Sequence, residues 1–152
     1  MSEHRFPNPP GMPENTYKET DKHHKTDQGG SPYVTDITEL AVDNCAFRSA
    51  IWTGCHLQMT LMSIPPCSDI GLEIHENTDQ LIRIEKGNAI VKMGKCKCNL
   101  DFQKEVCESE AIFIPAGYWH NIINKDNTPL KLSSVYSPSH HPKGTYQRNK
   151  PD

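Results

Sequence analysis

No run of apolar residues in the 152-residue chain is long enough to span a bilayer, and none repeats at the helical period over several turns. The first absence leaves no transmembrane helix to place. The second argues against a helical bundle. An excess of charge is also missing, since 16 Lys and Arg against 19 Asp and Glu leave a net charge of -3. So small a charge offers no electrostatic case for nucleic acid or an anionic membrane surface as a partner. The opening "MSEHRFPNPPGMPENTYKETDKHHKTDQGG" lacks the apolar stretch of a secretory signal. We therefore expect a cytoplasmic protein, one domain by length, with chain enough for one real core.

Six cysteines stand at Cys45, Cys55, Cys67, Cys96, Cys98 and Cys107. Without a secretory signal they are expected to be reduced. Cys96 and Cys98 form Cys-x-Cys in the basic, turn-like "MGKCKCNLDF". No second cysteine or histidine pair follows at the short spacing a zinc finger needs, so both read as exposed thiols.

Residues 1–32 carry Pro7, Pro9, Pro10, Pro13, Gly29 and Gly30 among few apolar residues. Burial there cannot offset the entropy of ordering, and we expect a mobile arm with His23 and His24 in solvent. The tail at 138–152 has similar composition, and His140 and His141 get the same reading. Between the ends, residues 33–137 read as strand after strand. "CHLQMTLMSI", "QLIRIEK", "AIVKMG", "AIFIPA" and "LKLSSVY" are short β-rich runs parted by turn signals. "KGN" at 86–88 marks a tight hairpin, with Gly87 free to take a positive φ. Many short strands at close spacing argue an all-β sandwich or barrel.

Residues two apart on a strand project to one face, which pairs Glu73 with His75, and Gln80 with Ile82 and Ile84. His120 comes later, after the turn residues Pro115 and Gly117 in "IPAGYWHNIIN". If a small barrel sets these strands side by side, Glu73, His75, Gln80 and His120 converge inside it. The same alternation puts Ile122 and Asn124 on the face of His120, with Asn124 suited to lock the strand end through backbone hydrogen bonds. Gln58, Thr60 and Met62 share a face that either lines the cavity or meets solvent. Trp52 and Trp119 read as core or pocket wall rather than as sugar platforms.

The later stretch resembles the second motif of the cupin superfamily, Gly-x5-Pro-x-Gly-x2-His-x3-Asn. Pro115, Gly117, His120 and Asn124 match it, and Ser109 stands at the leading glycine. The first motif, Gly-x5-His-x-His-x3–4-Glu-x6-Gly, fits with Gly87 as its last glycine. Gln80 then stands at the family's Glu, His75 at the second His, Glu73 at the first, and Cys67 at the opening glycine. The resemblance covers residues 67–124 and implies a cupin-type double-stranded β-helix, a jelly-roll barrel that often holds a divalent metal. It implies homodimers too, since cupins frequently pair through their barrels.

The implied ligand set is Glu73, His75, Gln80 and His120, two imidazoles, a carboxylate and a neutral amide oxygen. Zinc is the expected metal, with iron, manganese and nickel as alternatives. "GLEIHENTDQLIRIEKG" with "FIPAGYWHNIIN" also looks like small single-domain cupins resembling mannose-6-phosphate isomerase. That resemblance implies a metal-dependent isomerase acting on a small sugar or sugar phosphate. Glu73, Asp79 and Glu76 are the candidate bases, and Arg48, Lys92 and Arg83 the cations available to a phosphate. The alternatives are a non-haem iron dioxygenase using two histidines and a carboxylate, and a non-catalytic module that shelters a small molecule.

Overall fold

A computed structural model describes residues 26–152. The arm expected over 1–32 therefore lies mostly outside the described residues, as do His23 and His24. Its last residues are tied to the barrel. The Gln28 N–H donates to the Ile51 carbonyl at 2.8 Å, and Asp27 Oδ2 accepts from the Thr53 hydroxyl at 2.7 Å.

Nine strands follow one short helix. They are β1 (Arg48–Thr53), β2 (Gln58–Ile64), β3 (Asp79–Lys86), β4 (Asn88–Gly94), β5 (Phe102–Cys107), β6 (Ala111–Ile114), β7 (Trp119–Asn124), β8 (Leu130–Ser137) and β9 (Tyr146–Gln147). One antiparallel sheet has the order β6-β3-β8-β2-β1-β9, the other β5-β4-β7. The segment from Asp69 to His75 runs irregularly beside β7, with bridges Asp69–Ile123 and Glu73–His120. This is the jelly-roll sandwich expected of the sequence. Among the described residues no helix is long and apolar enough to cross a membrane.

Alternation builds the core. Met62 and Ile64, Ile82 and Ile84, Val91, Ile122 and Leu132 each turn inward from their strands and meet between the sheets. Gln58 and Thr60 are fully buried with Met62, which settles that face as interior. Asn124 does lock its strand end, donating from Nδ2 to the carbonyls of Ile64 (3.0 Å), Pro65 (3.2 Å) and Thr128 (2.9 Å).

Several local expectations need correction. Gly87 takes φ 105° as expected, but β3 and β4 lie in different sheets. The "KGN" turn is therefore a corner between layers and not a hairpin. A helix, α1 (Ile37–Asp43), is not legible in the sequence, because seven residues are too few to show a period. It starts where Asp36 Oδ1 accepts from the Glu39 N–H at 2.9 Å. Its Ala41 packs with Ile51 and Leu61 on the outer face of the larger sheet. Cys45, Cys55, Cys67 and Cys107 are free and exposed, whereas Cys96 and Cys98 are joined by a disulfide across a Cα separation of 5.3 Å. That spacing lies within the span of a disulfide.

The tail at 138–152 is likewise not a free end. β9 pairs with β1, the Ala50 N–H donates to the Thr145 carbonyl at 2.8 Å and the Phe47 N–H to the Arg148 carbonyl at 3.1 Å. Lys143 Nζ donates to the Gly29 carbonyl at 2.9 Å, joining the two ends of the described chain. Charged and prolyl composition hid a segment that earns its order through backbone pairing rather than apolar burial.

Candidate metal centre

Glu73 and His120 face each other across the margin of the smaller sheet. The Glu73 N–H donates to the His120 carbonyl at 3.1 Å, and the His120 N–H to the Glu73 carbonyl at 2.9 Å. Residues that exchange both bonds carry their side chains on one face. Two residues on, the His75 carbonyl accepts from the Gly117 N–H at 2.9 Å. Asp79 Oδ1 takes the Ala116 N–H at 2.9 Å. The loop from Glu73 to Asp79 and the Pro115–Gly117 turn are thus stitched together, and Gly117 meets the turn's demand with φ 82°.

This backbone brings three donors to one point. Glu73 Oε1 lies 3.4 Å from His75 Nε2 and 3.4 Å from His120 Nε2. The three ligand atoms all fall within 4.8 Å of one another. His120 Nδ1 lies 3.0 Å from the Tyr118 carbonyl, so that nitrogen carries the proton and the Nε2 lone pair is left for the site. Burial opposes ionisation of Glu73, and positive charge on His120 and His75 when they are protonated outweighs it and holds the carboxyl well below the usual carboxylate range.

The residues fit a divalent cation. Both nitrogens of His75 and Nε2 of His120 are buried without a hydrogen-bond partner. Such orphaned groups cost about 1–3 kcal/mol each unless something satisfies them. Contacts of 3.4 Å are too long for charge-assisted hydrogen bonds. They match the roughly 3.4 Å between neighbouring donors on a tetrahedral zinc. Glu73, His75 and His120 are a candidate centre for a divalent metal.

Gln80 is buried on the inner face of β3. Its Nε2 donates to Ser134 Oγ at 2.8 Å, and its Oε1 has no partner. Its cross-strand neighbour is Tyr136, whose ring centroid is 5.7 Å from that of His75. Burial pushes the Tyr136 phenol up. Of the other named residues, Arg83 is ion-paired to Glu85 and Lys92 lies on the partly exposed face of β4. Arg48 alone of the three cations is buried. Trp52 donates to the Ser31 carbonyl at 2.8 Å, and Lys97 sits over the Trp119 ring at 5.3 Å.

His140 and His141 stand on a held tail and not on the free one expected for them. The His140 ring centroid is 3.9 Å from that of His75, and it stacks on Tyr136 at 5.7 Å. His141 meets the edge of Tyr136 at 5.2 Å. Desolvation, then the charge of Arg48, pushes the His141 pKa down to about 4. His140 keeps an exposed side and His141 is half-buried, because the tail folds back over the open side of the donors. The available signal was Gln58, an amide on an inward face, which must find partners there.

The cupin domain family model matches residues 60–136. The chain is 54% identical over 126 residues to the uncharacterized protein YrkC of Bacillus subtilis (strain 168), a match spanning 83% of this chain and 68% of YrkC. It is 46% identical over 120 residues to the uncharacterized protein L612 of Acanthamoeba polyphaga mimivirus, covering 78% and 73% of the two chains. The crystal structure of BH2720 from Bacillus halodurans superimposes with a TM-score of 0.82 at 53% identity, over 82% of this chain and 95% of that one. TT1209 from Thermus thermophilus shares the fold, with a TM-score of 0.59 at 21% identity over 69% and 96% of the two chains. With two facing sheets, donors grouped between motif positions and these relatives, the chain belongs to the cupin family.

Proposed function

We propose that this cupin is a metal-dependent enzyme acting on a small polar substrate, with sugar-phosphate isomerisation as the leading case. The observation that carries the reading is the meeting of Glu73 Oε1, His75 Nε2 and His120 Nε2, with both imidazole nitrogens buried and unpartnered. Gln80 Oε1 completes the proposed donor set as a neutral oxygen, and zinc is the ion these donors suit best. A bound divalent ion would supply Lewis-acid polarisation of a carbonyl or hydroxyl.

The chain's own residues supply the rest. Glu73 is committed to the donors, Asp79 is tied to Ala116, and Glu76 is exposed in the turn. His140 is the titratable group set against His75 on the open side. Burial, followed by the neighbouring His75, holds its pKa below the ordinary value, so its ring is neutral and can accept a proton. Tyr136, Gln80 and Ser134 give the interior beside it a polar lining.

The test is elemental analysis of protein purified without added metal, followed by assay on mannose 6-phosphate. Bound zinc that is lost in His75→Ala and His120→Ala, with turnover above the His120→Ala background, is the expected result. A chain that holds no divalent ion sinks the site. Zinc without turnover sinks the isomerase. The two-histidine, one-carboxylate set also favours a second reading, an iron oxygenase. Retained iron with substrate-dependent oxygen uptake would select it.

We further propose that the functional unit is a homodimer. Met59, Val135, Leu81 and Phe113 form one register row across β2, β8, β3 and β6. Met59 is packed against the α1 cluster at one end of the row, while Phe113 at the other is 72% exposed on an edge strand. A second copy would cover that end, and Phe113→Glu should convert the dimer to monomer in light scattering.

A further inference from the structure

Among the described residues, Arg48 is a buried guanidinium with no carboxylate beside it. It is 6% exposed, and no ion pair reaches it among the described residues. Its contacts are the Gln147 side-chain oxygen, Met62 Sδ at 4.0 Å and the Phe47 ring at 5.4 Å. Its Nε is buried without a partner. A charge enclosed this way is strongly unfavourable unless an opposite charge joins it. Tail pinning by Gln147 would need only a neutral donor.

The surroundings of Arg48 share this deficit. It lies on the inner face of β1, between Phe47 of the main core and Ala50, which pairs with Thr60. Thr60 Oγ1, Tyr136 Oη and His141 Nε2 are all buried without hydrogen-bond partners. The Arg48 charge is felt at Tyr136, His141 and His140, the residues that lead to His75. Unpartnered polar groups beside one unpaired cation, on the inner face of the larger sheet opposite the smaller sheet that carries His120, describe a place for a negatively charged group.

We propose that Arg48 is the anion-binding residue of this site, and that the substrate carries an oxyanion group, a carboxylate or a phosphate. The guanidinium fork suits either, because both present two oxygens to paired N–H donors. Tyr136 and Thr60 add hydroxyl donors. This inference rests on the proposed metal-dependent reading, since it places the remainder of the substrate toward Glu73, His75 and His120.

Inorganic phosphate and malonate are titrated by calorimetry into the full chain, with the metal first stripped by chelation. Saturable binding of at least one is expected, and whichever binds more tightly identifies the group. Arg48→Met should weaken it about tenfold or more, the loss of a charge-assisted bond pair. Arg48→Gln, which keeps a donor for Gln147 but drops the charge, should do the same. Gln147→Leu should leave the affinity unchanged. His120→Ala should lose the metal while still binding the anion, which separates failure of this proposal from failure of the metal reading. The proposal is overturned if neither anion binds, or if both Arg48 variants that fold bind like wild type. Loss of binding in Gln147→Leu equal to that in Arg48→Gln also overturns it, since Arg48 would then act only by holding the tail.

Discussion

Gln58 grips His141 from both sides of its backbone. Gln58 Oε1 accepts from the His141 N–H at 2.9 Å, and Gln58 Nε2 donates to the His141 carbonyl at 2.8 Å. The same Oε1 also takes the His140 N–H at 3.2 Å. A side-chain amide here does what a neighbouring strand would do, and it holds the tail where its imidazoles stand beside the candidate metal donors. Gln58→Leu keeps the volume and removes all three bonds. The expected cost is about 2–4 kcal/mol of stability, counting buried backbone groups left without partners. Hydrogen exchange should rise first at 138–147 and leave β3 and β8 protected. Uniform destabilisation without that local signature would show that Gln58 does not serve as a clamp.

Acid should open the same segment. The His141 pKa is pushed down to about 4, chiefly by burial, whereas a released imidazole titrates near its ordinary value of about 6.5. Between those values the released tail binds a proton that the docked tail does not. Docking is therefore complete above about pH 6.5 and weakens steadily as the pH falls toward 4. Limited proteolysis across the tail at pH 7 and pH 5 reads this directly. Faster cleavage at pH 5 is expected in wild type, and His141→Phe should flatten the difference.

Cys67 and Ser109 stand where the two cupin motifs have glycine, and both keep the conformation glycine would take. Cys67 has φ 59° and Ser109 has φ 72°. A side chain in this region costs roughly 1 kcal/mol relative to glycine, partly offset by the greater freedom of glycine in the unfolded chain. Cys67→Gly and Ser109→Gly are each expected to raise stability by up to about 1 kcal/mol, seen as a higher urea midpoint at constant slope. Lower midpoints for both would mean that their side chains contribute more than the backbone strain costs.

Those two positions also explain how far the sequence could be read. The motifs describe backbone turns, so they remain legible with both glycines changed, and they place His75, His120 and Asn124 by count alone. Period-2 alternation marks the inward faces of β3 and β7, where Gln80, Ile82 and Ile84, and then His120 and Ile122, lie buried. What stays hidden is held by hydrogen bonds between distant segments. Alternation puts Glu73 on a regular strand with His75, but it sits in an isolated bridge to His120. The tail has no apolar face at all, and its order comes from β1, Gln58 and Asp27. Such partners are unrelated in sequence, so no local pattern announces them.

Glu85 shows how one unanticipated helix changes the meaning of a residue. With Ile82 and Ile84 turned inward, Glu85 belongs to the outer face of β3 and reads as a surface charge. It is 1% exposed, because α1 lies over it. Its Oε2 accepts from the Thr38 hydroxyl at 2.8 Å and pairs with Arg83, while its Oε1 accepts from Ser133 Oγ at 2.8 Å. One carboxylate thus ties the helix to β3 and β8. Glu85→Ala removes the shared acceptor and leaves the buried Ser133 hydroxyl without a partner, while Thr38 and Arg83 turn to water, and should cost about 2–3 kcal/mol. Glu85→Gln keeps one acceptor and the shape, so a loss of about 1–2 kcal/mol is expected. Urea unfolding checks both. Equal effects would mean that packing under α1, rather than the carboxylate, is what the helix needs. Arg83→Ala then separates the ion pair from the hydroxyl bonds, since that guanidinium is partly exposed and returns readily to water.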